Sequence, residues 1–91
     1  MALFTIVATI RKRQRIYQVQ ADSAANAIRT WADSLDIAAL SDFGRLSKQR
    51  LVDALRQFGP NRVEDMPNVY EWHAAVSEFR FAVVIIQTEE A

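Results

Sequence analysis

The chain contains no cysteine, which excludes a disulfide framework, a thiolate zinc site and a thiol nucleophile. Gly44 and Gly59 are its only glycines, so the glycine-rich loops that cradle nucleotide phosphates cannot form. His73 is the single histidine, and a metal site built on several imidazoles is excluded with it. No charge of either sign is in excess: eleven Lys and Arg balance eleven Asp and Glu. That balance argues against broad attraction to nucleic acid or anionic lipid. No apolar run approaches the ~20 residues of a membrane-spanning helix. The run "LFTIVATI" precedes the basic cluster "RKRQR", the reverse of the order in a secretory signal. The expectation is a cytoplasmic protein that uses no membrane, cofactor or metal.

What is present points to one folded domain over residues 1–91. Hydrophobic residues make up 51% of the chain and charged residues 24%, which is a globular composition rather than a disordered one. For so short a domain the apolar share is high, a first sign of association.

Residues 3–10, "LFTIVATI", read as a strand rich in β-branched residues. The polar link "RKRQ" leads to a second strand over 15–21, and so short a link forces an antiparallel hairpin. "ADSAANAIRTWADSL" is a helix, with Asp22 or Ser23 as its cap and Ala24, Ala27, Ile28, Trp31 and Leu35 as its apolar stripe. Residues 36–46 suggest a short helical turn and a loop. A second helix follows, capped by Ser47, striped by Leu51, Ala54, Leu55 and Phe58, and ended by Gly59-Pro60. Residues 61–67 read as a loop, and strands over 68–76 and 79–88 close the chain. The order β-β-α-α-β-β builds an α+β fold, a four-stranded antiparallel sheet with two helices on one face.

One feature strains that picture. "FAVVIIQ", in the last strand, is apolar on both alternating faces, and so is "LFTIVATI" in the first. A sheet with one face in water alternates cleanly. These two strands should therefore be central, and something should shield their second face. Two covers are open: the 36–46 and 60–67 segments folded beneath the sheet, or a partner. On the second reading the contact residues are Tyr70 and Trp72, of the aromatic type that anchors interfaces, with Arg80, Val84 and Ile86.

Two other groups bear on chemistry. Glu71 and His73 lie two apart on one strand face, the right types for an oriented general base. No nucleophile accompanies them, and a surface or interface histidine is the plainer meaning, so no catalytic residue is assigned. Arg11, Lys12, Arg13 and Arg15 gather at the first hairpin tip, with no acid before Asp22. Such a tip can follow a phosphate backbone through counterion release. It can equally grip an acidic protein, or simply stay solvated and discourage edge pairing.

The pattern Ala24, Ala27, Ile28 and Trp31, followed by Asn68, Val69, Tyr70, Trp72, Ile85, Ile86 and Thr88, resembles small bacterial α+β domains. Those open with a β-hairpin and finish with an N-V-[WY]…I-I-x-T hairpin. The resemblance covers about half the chain, implies the fold and brings no activity with it. In size and class the chain is similar to immunity proteins that neutralise toxins. The passage "VQADSAANAI" is also similar to the strand-to-helix step of HicB-type antitoxins, although their glycine-rich third strand is missing here. The expected function is a non-enzymatic protein-binding or dimerising domain, immunity- or antitoxin-like in its most concrete form. The alternative is a nucleic-acid binder that uses the basic tip, and an enzyme centred on His73 and Glu71 ranks below both.

Overall fold

The computed structural model describes residues 1–10, 12–35, 45–76 and 79–89. Two long strands open the chain, β1 (Ala2–Ile10) and β2 (Arg13–Ala21), followed by helices α1 (Ala24–Ser34) and α2 (Arg45–Gln57). A two-residue strand β3 (Asn61–Arg62) then precedes β4 (Val69–Val76) and β5 (Phe79–Glu89). The fold is α+β, with one antiparallel sheet in the order β2-β1-β5-β4-β3. Both strands with two apolar faces, β1 and β5, occupy the interior of the sheet, as their composition requires.

The sheet has five strands rather than the expected four. The fifth comes from the 60–67 segment, where Asn61 pairs with Glu71 and Arg62 with Tyr70. Part of this segment therefore extends the sheet edge instead of folding beneath the sheet. The turn between β3 and β4 is held by its own backbone bonds, including Val63 N–H to Val69 O at 2.9 Å. The expected turn near residues 37–40 lies outside the described residues.

Register fixes what faces what. In β1 the even positions Phe4, Ile6, Ala8 and Ile10 are buried, and the odd positions are half-buried. Pairing carries the buried face across to Tyr17 and Val19 on β2, to Phe81, Val83 and Ile85 on β5, and to Trp72 and Val76 on β4. Both helices pack on this face. Trp31 of α1 meets Tyr17 and Phe81 edge-on, with ring centroids 6.4 and 6.3 Å apart. Leu51 and Leu55 of α2 are fully covered. Burying an aliphatic side chain of this size contributes about 1.5–3 kcal/mol, so this single core dominates the stability.

The caps follow local chemistry. The Ser23 hydroxyl accepts from Asn26 N–H at 3.2 Å, satisfying a donor of the first turn of α1. At the other end Lys48 reaches across from α2 and donates to the carbonyls of Asp33 (2.8 Å) and Leu35 (3.3 Å). A cation there also meets the negative end of the helix dipole.

Three expectations about α2 are corrected. Ser47 is not its cap, because the helix already includes Arg45 and Leu46, both good helix formers. Gly59 is not left-handed, so the helix ends at Gln57 without a left-handed glycine cap. Phe58 lies just past the helix and is 49% exposed rather than buried. Among the described residues no helix is long and apolar enough to cross a membrane.

Candidate functional site

Among the described residues both helices lie on one face of the sheet, and the strands form the other. Its surface is built in cross-strand rows. Gln18, Thr5, Ile86 and Val69 form the first row, and Ile16, Val7, Val84 and Glu71 the second. Gln14, Thr9, Ala82 and His73 form the third, and beyond it Arg80 stands beside Ala75. The two central strands thus present Leu3, Thr5, Val7 and Thr9 next to Ala82, Val84 and Ile86, all half-buried by their neighbours. Ile16, on edge strand β2, is 67% exposed.

At one end a polar chain stitches this surface together. Gln18 Nε2 donates to Thr5 Oγ1 (3.4 Å), Thr5 Oγ1 to Thr88 Oγ1 (3.4 Å), and Thr88 Oγ1 to the carbonyl of Leu3 (3.1 Å). The middle of the face carries only aliphatic groups and threonine. Among the described residues it carries no aromatic ring.

The five contact residues read from the sequence do not share this face. Arg80, Val84 and Ile86 lie on it. Tyr70 and Trp72 do not, and their assignment as contacts on this face is corrected here. Both point toward the helices, where Trp72 is 2% exposed and stacks on Phe58. Tyr70 is half-buried, with Arg62 over its ring at 5.7 Å. The alternation of β4 carried the signal: Tyr70, Trp72, Ala74 and Val76 are apolar together, against Glu71 and His73 on the other side. The residues missed from the open face include Leu3, Thr5, Val7, Thr9, Ile16 and Ala82.

Glu71 and His73 are brought together on the open face, with His73 Nε2 and Glu71 Oε2 3.7 Å apart and side chains 64% and 50% exposed. No group of three or more His, Cys, Asp or Glu that would hold a metal occurs among the described residues. At the hairpin tip Lys12, Arg13 and Arg15 are exposed. Lys12 sits in the left-handed region at φ 67°, and Arg11 lies outside the described residues. A shallow depression of about 300 Å³ lies along the β3–β4 turn, lined by Arg62, Val63, Glu64, Asp65, Met66 and Pro67. All six are consecutive residues of one turn, so it joins no separate elements.

No family model matches the chain, and neither a curated protein nor a solved structure matches it closely enough to show kinship.

Proposed function

We propose that this protein is a non-enzymatic binding module that docks a protein through the open face of its sheet. One observation carries the reading: the central strands β1 and β5 place Val7, Val84, Ile86 and Leu3 side by side on the face opposite the helices. Exposed apolar patches larger than a few hundred Å² mark interaction surfaces. Polar groups flank the patch, with Gln14, Gln18 and Gln20 on β2 around the exposed Ile16, Glu71 and His73 on β4, and Arg80 near the start of β5. An apolar centre with a polar rim is the usual anatomy of a protein interface. An immunity- or antitoxin-like role, neutralising a protein by covering it, is the concrete form of this function.

The test is a Val84→Lys variant, which places a charge at the centre of the face without touching the core. Circular dichroism should stay native, while association with any protein ligand falls by tenfold or more, about 1.4 kcal/mol. Undiminished binding by the folded variant would remove this face from the function.

A second reading rests on the exposed cations Lys12, Arg13 and Arg15 at the hairpin tip. It predicts nucleic-acid binding that weakens steeply between roughly 50 and 200 mM salt. A labelled oligonucleotide whose anisotropy does not change at the lower salt concentration retires it.

A further inference from the structure

We infer that the outer edge of β2 is a second docking site, which takes an extended acidic peptide as an added antiparallel strand. The site lies at the rim of the sheet and is independent of the open face.

The openness of this edge is the first observation. β2 ends the sheet order β2-β1-β5-β4-β3, and among the described residues its only strand neighbour is β1. Its side chains show the missing neighbour. Thr5, Val7 and Thr9 of β1, flanked by strands on both sides, are half-buried. Their row neighbours on β2, Gln18, Ile16 and Gln14, are exposed. An edge strand directs the N–H and C=O of alternate residues outward, and an extended peptide satisfies both kinds of group.

Regularity is the second. Proteins blunt such edges with proline, a bulge or a very short strand. β2 has none of these: its nine residues contain no proline and pair with β1 in one unbroken register. The other side of the sheet is finished differently, by the two-residue β3. Charge at the hairpin tip is the only guard that β2 retains.

That charge selects the occupant. Lys12, Arg13 and Arg15 are exposed and have no ion-pair partner among the described residues. No acid precedes Asp22, and the rest of β2, from Ile16 to Ala21, is uncharged. The cations repel a basic strand, leave a neutral one unaided and attract an acidic one. A long polyanion would meet them only at the tip, whereas a peptide also uses the neutral length of the edge. Antiparallel pairing, the more stable direction per residue, lays the C-terminal end of the peptide beside Arg13. Its acids therefore belong in its C-terminal half.

The probe is a fluorescein-labelled peptide of alternating valine and threonine with glutamates in its C-terminal half. Its anisotropy should rise saturably with the native protein, at concentrations below about 1 mM. N-methylation of one alternate set of residues should abolish the rise, and methylation of the other set should leave it, because only one set of N–H groups faces β2. Arg13→Gln and Arg15→Gln should each weaken binding by about two- to fivefold. Val84→Lys should leave it unchanged, so failure at this edge and failure of the open face are told apart. Equal behaviour of the two methylated peptides would overturn strand addition, and loss of binding in Val84→Lys would move the peptide to the open face. Tighter binding of a peptide with its glutamates in the N-terminal half would overturn the antiparallel direction. No rise up to about 1 mM would overturn the site itself.

Discussion

Trp72 donates its indole Nε1–H to the carbonyl oxygen of Phe58 at 2.9 Å, and the two rings stack with centroids 5.9 Å apart. One residue thereby ties β4 to the segment just beyond α2, using a hydrogen bond and a ring face together. Trp31 has no such partner. Its ring is fully buried, and its Nε1 finds no acceptor among the described residues. The same substitution should therefore act differently at the two sites. Trp72→Phe removes a made bond and strands a carbonyl, costing about 1–3 kcal/mol beyond the lost volume. Trp31→Phe removes an unmet donor, which offsets part of the volume loss. Urea unfolding should rank Trp72→Phe as the more damaging, and equal midpoints would contradict the assignment of the hydrogen bond.

Adjacent valines on β5 offer a second contrast. Val83 is 0% exposed, whereas Val84 lies half-buried on the open face. An aspartate at 83 puts an unpaired charge in the core and should abolish folding. The same change at 84 should leave a native circular dichroism spectrum at concentrations below those of association. Equivalent behaviour of the two variants would mean that the open face is covered within the monomer.

The Ser23 cap is open to a conservative test. Ser23→Ala should lower stability by about 1 kcal/mol, whereas Ser23→Asp should retain most of it by keeping an acceptor for Asn26 N–H. Thermal melts of the three proteins provide the comparison.

Lys48 joins the two helices by donating to backbone carbonyls of residues 33 and 35. Lys48→Met keeps the aliphatic stem and loses the donor, with an expected loss of about 1–2 kcal/mol. Because the bonds are to carbonyls and not to a carboxylate, the loss should persist at acid pH. A loss that vanished on acidification would point to a side-chain ion pair instead.

Gly59 has an ordinary backbone conformation, and a Cβ placed there meets nothing within 4 Å. Gly59→Ala should therefore stabilise the protein by about 0.4–1 kcal/mol through the unfolded chain. Destabilisation, read from the urea midpoint, would show that the glycine is needed.

The sequence made the centre of the sheet legible and its edges less so. β1 and β5 declare themselves because Val7 and Val84 are as apolar as their buried neighbours Ile6 and Val83, a pattern that only interior strands sustain. Asn61–Arg62 gave no signal, since two polar residues form a strand through backbone pairing alone. The Lys48 contacts were invisible because they join residues thirteen and fifteen apart in sequence. The face occupied by Trp72 was readable from the alternation of β4, but aromatic type suggested an interface where burial was the stronger constraint. Arg80, Val84 and Ile86 were placed on the open face by period alone, which a strand keeps whatever covers it.

The pairing of β1 with β5 has a consequence for synthesis. Leu3 lies opposite Glu89, so the middle of the sheet joins β1 to a strand that is made only after both helices. Before Phe79 emerges, β1 has only its hairpin partner β2, and the aliphatic groups of both its faces lie open in the nascent chain. Long-range pairing of this kind slows folding. The cooperative step must wait until β5 has emerged, and a ribosome stalled before it would hold a hairpin and helices without a centre.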